Sequence, residues 1–588
     1  MGTLSSRLTL ALVLLVPMAQ GVIVLTGIGA VLGRIETSFE GNSFFGFHSI
    51  PYAHPPLGTL RFRDPLPIGN WQGVFNATLD GPACIQIPAI VETGTIGAED
   101  CLWLSVYTPS LVPESKLPVV VWIHGGRWSY GSGRQSSYGP HQLIDRGVVV
   151  IHVQYRLGAL GWLSTQDSVA PGNYGFNDQV LALKWIKSNV HSFGGDPDRI
   201  TLLGHSAGGA SAHGHIISPL SNGLFQRAIS ISGATTMAWA GQQNNHGQIA
   251  RRQAQLVGCP IHPSQALIEC LRTVDAVTLT ASASGFTEFF PDTAAKLPFG
   301  VYSPRVDVEA DYPFWPLDPT EALALGEFNK DIPWMTGITS MESSAFSVEL
   351  FGKIWEDRLA FANDNLNEVF KHLFTHPGVG PQERDAIWDF YFNNKEWNRT
   401  EHRIRVAEMM SDSLFNFEEL LGVYLQSRQS LSNIYLYKFN YIGSWGYVNM
   451  YGESPNHHGG VAHLDDVRYI MSMPWAGPHN EEDKRMVKLY TSMIGNFIRS
   501  GNPSLEQNSW LPFRPGRGRL LNFNSPFDAQ MSRCLPFPLP RLSFWRQILN
   551  VPWFLHWDYL TCSLNDETSV KAVNEVFETD DILEKNVV

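Results

Sequence analysis

Six predominantly apolar runs constrain this chain more than any other feature. They are Val119 to Ile123, Val148 to Val153, Ile200 to Leu203, Ala228 to Ser232, Pro333-Trp334-Met335 and Ile434 to Phe439. A strand with one wet face alternates apolar and polar residues; a predominantly apolar run puts apolar residues on both faces. Such runs predict strands of a parallel sheet covered on both sides. Helical patterns lie between and after them. Leu181, Ala182, Trp185 and Ile186 recur at three-to-four spacing, and Met486 to Arg499 reads as a helix that stops at Gly501, with Pro503 beyond. Strands alternating with helices predict one large α/β domain. The 235–330 and 345–430 stretches read as helical and loop insertions on the sheet. The chain shows no internal repeat. With 588 residues, of which 44% are hydrophobic, it has ample apolar material for a large core. That composition excludes disordered, collagen-like and coiled-coil chains.

The first residues, MGTLSSRLTLALVLLVPMAQG, place Arg7 before a short apolar stretch, Leu8 to Val16, and a small-x-small site at Ala19-Gln20-Gly21. This is the pattern of a secretory signal peptide. The expected organisation is a signal peptide over 1–21, one α/β domain over 22–560 and a tail over 561–588. The apolar stretch from Leu542 to Leu560 is interrupted by Arg546, Pro552 and Asp558, so no stable membrane anchor is expected. A secreted protein is the resulting expectation. Six cysteines fit an oxidising compartment. Spacing favours local pairs, Cys84 with Cys101 and Cys259 with Cys270, leaving Cys534 and Cys562 as a third bridge or as separate thiols. The sequons at Asn76 and Asn398 fit a glycosylated chain. Lys+Arg is 42 and Asp+Glu is 55, a formal charge of −13, which argues against nucleic acid as a partner. No CxxC spacing points to a metal, and none is expected.

The chemistry centres on Leu202-Leu203-Gly204-His205-Ser206-Ala207-Gly208-Gly209. This is G-x-S-x-G after a strand and opening a helix, a tight turn that exposes a serine in a strained conformation. Gly204 and Gly208 are expected where strand and helix approach too closely for side chains. Serine needs a base, usually oriented by a carboxylate. Several histidines follow it: His213 and His215 on the next helix, His457 and His458 in a loop, and His463. Spacing alone does not choose among them. His124-Gly125-Gly126-Arg127 follows the first apolar run, where backbone N–H donors for an oxyanion sit in many esterases, and Ala207 supplies another N–H.

With these residues the chain resembles the type-B carboxylesterases of the cholinesterase/carboxylesterase family. The resemblance runs over nearly the whole chain. It is carried by Ile50-Pro51-Tyr52-Ala53, Leu60-Arg61-Phe62, Glu99-Asp100-Cys101-Leu102-Trp103-Leu104, Tyr155 to Gly161, and Phe193 to Pro197. The resemblance implies an α/β-hydrolase fold, a large mostly parallel central sheet flanked by helices. It implies that Glu342, in Gly337 to Glu342, is the orienting acid and that His463, in Gly460 to Asp466, is the base. It also implies an oxyanion hole from Gly125, Gly126, Arg127 and Ala207, bridges Cys84–Cys101 and Cys259–Cys270, and ion pairs Arg61–Glu99 and Arg156–Asp178. No cofactor is implied.

Three departures stand out. Arg127 replaces the third glycine of the oxyanion loop. His205 precedes the serine where cholinesterases carry glutamate. The Cys84–Cys101 loop contains no tryptophan, a residue that cholinesterases use there to hold a quaternary ammonium. The function expected is therefore a secreted serine carboxylesterase acting on small lipophilic esters through an acyl-enzyme on Ser206. A juvenile-hormone-type esterase is the alternative, and a non-catalytic cholinesterase-like adhesion protein is the alternative from another class.

Overall fold

The computed structural model describes residues 14–15, 21–88, 94–241, 245–286, 301–351, 363–364, 379–398, 402–454, 459–515, 518–532 and 539–550. Most of the proposed leader, His457, His458, Cys534 and Cys562 lie outside them. One sheet organises the molecule. At its centre lie seven parallel strands, in the spatial order Val149–Val153, Leu117–Ile123, Gly195–His205, Arg227–Ile231, Trp334–Thr339, Ile434–Phe439 and Leu520–Ser525. Antiparallel strands flank this centre. Trp103–Thr108, Ser43–Pro51, Gly29–Thr37 and Gly21–Thr26 extend one side, and Asp528–Ser532 closes the other.

All six apolar runs fall on the parallel strands, and the reason is visible in the core. Successive side chains on a strand point to opposite faces. Val119, Val121 and Ile123 pack into one buried cluster. Val120 and Trp122 pack into a second cluster across the sheet. Ile434 and Leu436 divide from Tyr435 and Tyr437 in the same way. Helices Tyr174–Asn189 and Ala207–Ile217 cover the first face, and Glu481–Ser500 covers the second. The last helix begins five residues before the sequence pattern does. Its first turn is acidic (Glu481, Glu482, Asp483), and the Asn480 side chain accepts from the Asp483 N–H at 2.8 Å. That turn is recognised by capping and charge rather than by apolar spacing. Gly501 ends it in the left-handed region, φ 78°.

The 235–330 and 345–430 insertions contain helices and no strand other than Trp334–Thr339 between them, among the described residues. Both local disulfides are formed, Cys84–Cys101 and Cys259–Cys270. Both ion pairs are formed as well. Arg61 meets Glu99 through two bonds of 2.6 and 2.7 Å. Arg156 meets Asp178 at 2.8 and 2.6 Å, with both side chains almost wholly buried. Among the described residues, no helix is long and apolar enough to cross a membrane.

Candidate active site

Ser206 occupies the turn between the strand Gly195–His205 and the helix Ala207–Ile217, with φ 58° and ψ −125°. A non-glycine residue in this region is strained, and its neighbours hold it there. The Ser206 N–H donates to the Ile231 carbonyl at 2.8 Å, and its carbonyl accepts from the Ala210 N–H at 2.9 Å. The two glycines of the motif are required by close approach. A Cβ on Gly204 would lie 2.0 Å from the Gly208 carbonyl oxygen, and one on Gly208 would lie 2.0 Å from the Ile123 carbonyl oxygen. So a bare Gly204 lets the helix start directly on its strand, and a bare Gly208 lets that helix lie against the adjoining strand Leu117–Ile123.

Glu342 follows the strand Trp334–Thr339 and is fully buried. Its Oε2 lies 2.6 Å from Nδ1 of His463, across 121 residues of sequence. A carboxylate accepts only, so Nδ1 carries the proton and Nε2 is left as the basic nitrogen. The backbone repeats the connection, since the His463 N–H donates to the Glu342 carbonyl at 3.0 Å. The His463 ring also lies 4.4 Å, centre to centre, from that of His205, the residue before Ser206. Its other neighbours are Phe415 at 4.9 Å and Phe346 at 6.5 Å. Phe415 sits in a π-helical turn, Asp412–Asn416, a kind of bulge found often at functional sites.

Two supporting residues gave no sequence signal. Ser232 donates to Glu342 Oε1 at 2.6 Å, alongside the Thr339 N–H at 2.7 Å. Asp465 accepts from the N–H groups of Ala462 and Tyr447 at 2.9 and 2.6 Å, which fixes the segment that carries His463. Burial in apolar surroundings pushes the carboxyls of Asp465 and Asp466 up to about 7. The other candidate histidines do different work. His213 stacks on Trp334 and bonds Gln426, while His215 is held between Gln179 and Ser221. Both are buried, and burial keeps them neutral, with His213 at about 4 and His215 at about 3.

The loop Gly125–Tyr130 runs beside Ser206. A Cβ on Gly125 would lie 3.0 Å from Ser206 Cβ. The loop turns at Gly126 (φ 104°), Arg127 (φ 55°) and Trp128 (φ 55°), and Ser129 and Tyr130 donate back to the Gly126 carbonyl. No backbone carbonyl among the described residues accepts from the N–H of Gly126 or of Ala207. Ala207 opens its helix, where the first N–H groups lack intrahelical partners. Arg127 turns its guanidinium toward the rings of Tyr130 and Phe346, at 5.7 and 5.9 Å. Trp128 is core: it is buried against Trp162 and Trp239 and donates to Ser211 Oγ at 3.0 Å. Among the described residues, no group of three or more His, Cys, Asp or Glu side chains is placed to hold a metal.

The model of the carboxylesterase family matches residues 20–535. This chain belongs to the carboxylesterase family. Among curated relatives of this family member, Esterase FE4 of Myzus persicae is 35% identical over 516 residues, covering 85% of this chain and 88% of that one. A juvenile hormone esterase of Tribolium castaneum is 34% identical, covering 87% of each chain. Among solved structures, juvenile hormone esterase from Manduca sexta, with OTFP covalently attached, superposes with a TM-score of 0.81. It is 27% identical and covers 90% of this chain and 100% of that chain. The family is one of serine ester hydrolases with the α/β-hydrolase fold, and this carboxylesterase has its large mixed sheet flanked by helices.

Proposed function

We propose that this chain is a secreted serine carboxylesterase that works through an acyl-enzyme on Ser206. The observation that carries the reading is the 2.6 Å contact between Glu342 and His463, with the His463 ring against the residue that precedes the strained serine. In this reading His463 Nε2 takes the Ser206 hydroxyl proton as Oγ attacks the ester carbonyl. Glu342 holds the Nδ1–H and stabilises the imidazolium. The N–H groups of Gly126, Arg127 and Ala207, with Gly125 in the same loop, face the developing oxyanion. The protonated imidazole gives its proton to the departing alcohol. Water, deprotonated by the same nitrogen, then releases the acid and restores Ser206.

Secretion is supported by the two disulfides and by the exposure of Asn76 and Asn398, the proposed glycan acceptors. The proposed organisation is a leader over 1–21, the catalytic domain over 22–560 and a tail over 561–588. The proposed substrates are small lipophilic esters. The likeness to two juvenile hormone esterases favours a second reading, in which the acyl or alcohol part is a hormone of that kind. Two measurements test the proposal. Purified protein is expected to hydrolyse p-nitrophenyl esters, and Ser206→Ala to lose this activity by at least about 10³-fold. A fluorophosphonate is expected to label Ser206. A label on another residue, or equal turnover by the variant, overturns the nucleophile assignment. Comparing juvenile hormone with p-nitrophenyl acetate then separates the two substrate readings.

A further inference from the structure

His205 is buried, 3% exposed, at the end of the strand that delivers Ser206. The mechanism above gives it no role. Its backbone pairs with Ile231 in the sheet ladder, so the ring's origin is fixed. The ring lies 4.4 Å from that of His463 with a 41° tilt, and Phe415 closes the same imidazole at 4.9 Å. Its Nε2 has no hydrogen-bond partner among the described residues. An unpaired buried polar nitrogen costs free energy, so its placement calls for an explanation.

Resting on the triad reading, we infer that His205 is a positioning residue for ester hydrolysis. Its uncharged ring packs against the His463 imidazole, fixes that ring between Glu342 and Ser206, and adds no second counter-charge. Burial keeps His205 well below the usual histidine range, and the charge that forms on His463 lowers it further. The ring therefore stays neutral while the imidazolium builds up beside it. Glu342 remains the only carboxylate bonded to the His463 ring among the described residues. The other titratable groups around the pair are Asp465 and Asp466 on the His463 segment, and Glu419 behind Glu342. Arg127 lies across Phe346. These groups are common to wild type and variants, so a change in the pH profile reports position 205.

The test uses the full chain, with each preparation titrated by a fluorophosphonate so that rates are per active site. His205→Gln keeps polarity and loses the ring; kcat is expected to fall at least tenfold with KM within twofold. His205→Phe restores a neutral ring and is expected to recover most of that loss. His205→Glu places a carboxylate within reach of the imidazole and is expected to raise the acid limb of kcat/KM by about one pH unit. A Gln variant with wild-type kcat per titrated site overturns the proposal, as does a Glu variant that titrates fully with an unmoved acid limb. If wild type itself is not labelled at Ser206, the triad reading fails instead, so the two failures are distinguishable.

Discussion

Ser206 was readable as the candidate nucleophile because everything that identifies it is local. Gly204 and Gly208 are four residues apart, so the motif is visible in sequence, although the contact that forbids a Cβ at Gly208 comes from Ile123 on the adjoining strand. His463 and Glu342 are readable only through resemblance. They meet across 121 residues, and four other histidines carry equal credentials in the sequence. Ser232 is silent for a simpler reason. A serine at the end of a strand has no pattern, and its hydrogen bond to Glu342 exists only in three dimensions. Removing it leaves a buried carboxylate with one donor fewer on Oε1. A hydrogen bond to a charged group contributes about 1.5–3 kcal/mol. Ser232→Ala is therefore expected to lower kcat about 10- to 100-fold with KM little changed. Steady-state kinetics on titrated enzyme checks this, and a proportional rise in KM would argue against a role in holding Glu342. Glu342→Gln leaves its amide oxygen under the Ser232 and Thr339 donors and turns an N–H toward Nδ1; the wrong tautomer is then favoured, and steady-state kinetics is expected to show a loss of about 10⁴-fold in kcat.

Among the elements, six of the seven parallel strands were legible because apolar faces on both sides leave a predominantly apolar run; Leu520–Ser525, which mixes buried and exposed positions, was not. The flanking antiparallel strands were not. Gly29–Thr37 and Ser43–Pro51 mix buried and exposed positions with polar residues and short turns, so their pairing decides them rather than their composition. Two elements are joined by the Arg156–Asp178 pair, which ties the segment after Val149–Val153 to the helix Tyr174–Asn189. Removing one partner strands a buried charge, which costs about 3–5 kcal/mol. Asp178→Asn is expected to lower the denaturant midpoint accordingly, measured by intrinsic fluorescence. Asp178→Asn paired with Arg156→Met should recover part of the loss. If the single and double variants are equally destabilised, the cost lies in packing rather than in the unpaired charge.

For the whole molecule, buried titratable groups set opposing pH limits. Burial keeps His124 near 4 and His152 near 3, so the folded chain refuses protons that the unfolded chain takes up below about 6.5. Stability is therefore full above that value and drains away as pH falls. Burial pushes Glu418 and Glu419 up to about 8, so they keep protons that the unfolded chain releases above its ordinary value of 4.5. Here the folded state binds more protons, and stability falls as pH rises toward 8. The two histidines and two glutamates offset one another between about pH 4.5 and 6.5, so the urea midpoint is expected to be level there and to decline from about 6.5 toward 8. Glu419→Gln is expected to flatten the alkaline side, because an amide has no proton to lose. An unchanged slope in that variant would assign the decline to other groups. At this scale the α/β class was legible from buried runs alternating with helices, and the α/β-hydrolase fold from the resemblance; the polar interior was not legible, because burial itself creates it.

Ser206, Glu342 and the Gly125–Tyr130 loop leave three different parallel strands at their C-terminal ends. Scaffold and recognition are separable in such a design. Lengthening or exchanging one connection on that rim redraws what the enzyme admits, while the ladders beneath keep their register. Re-targeting this chain to a new ester is thus a problem of loop grafting, and one in which the buried strands need not be touched.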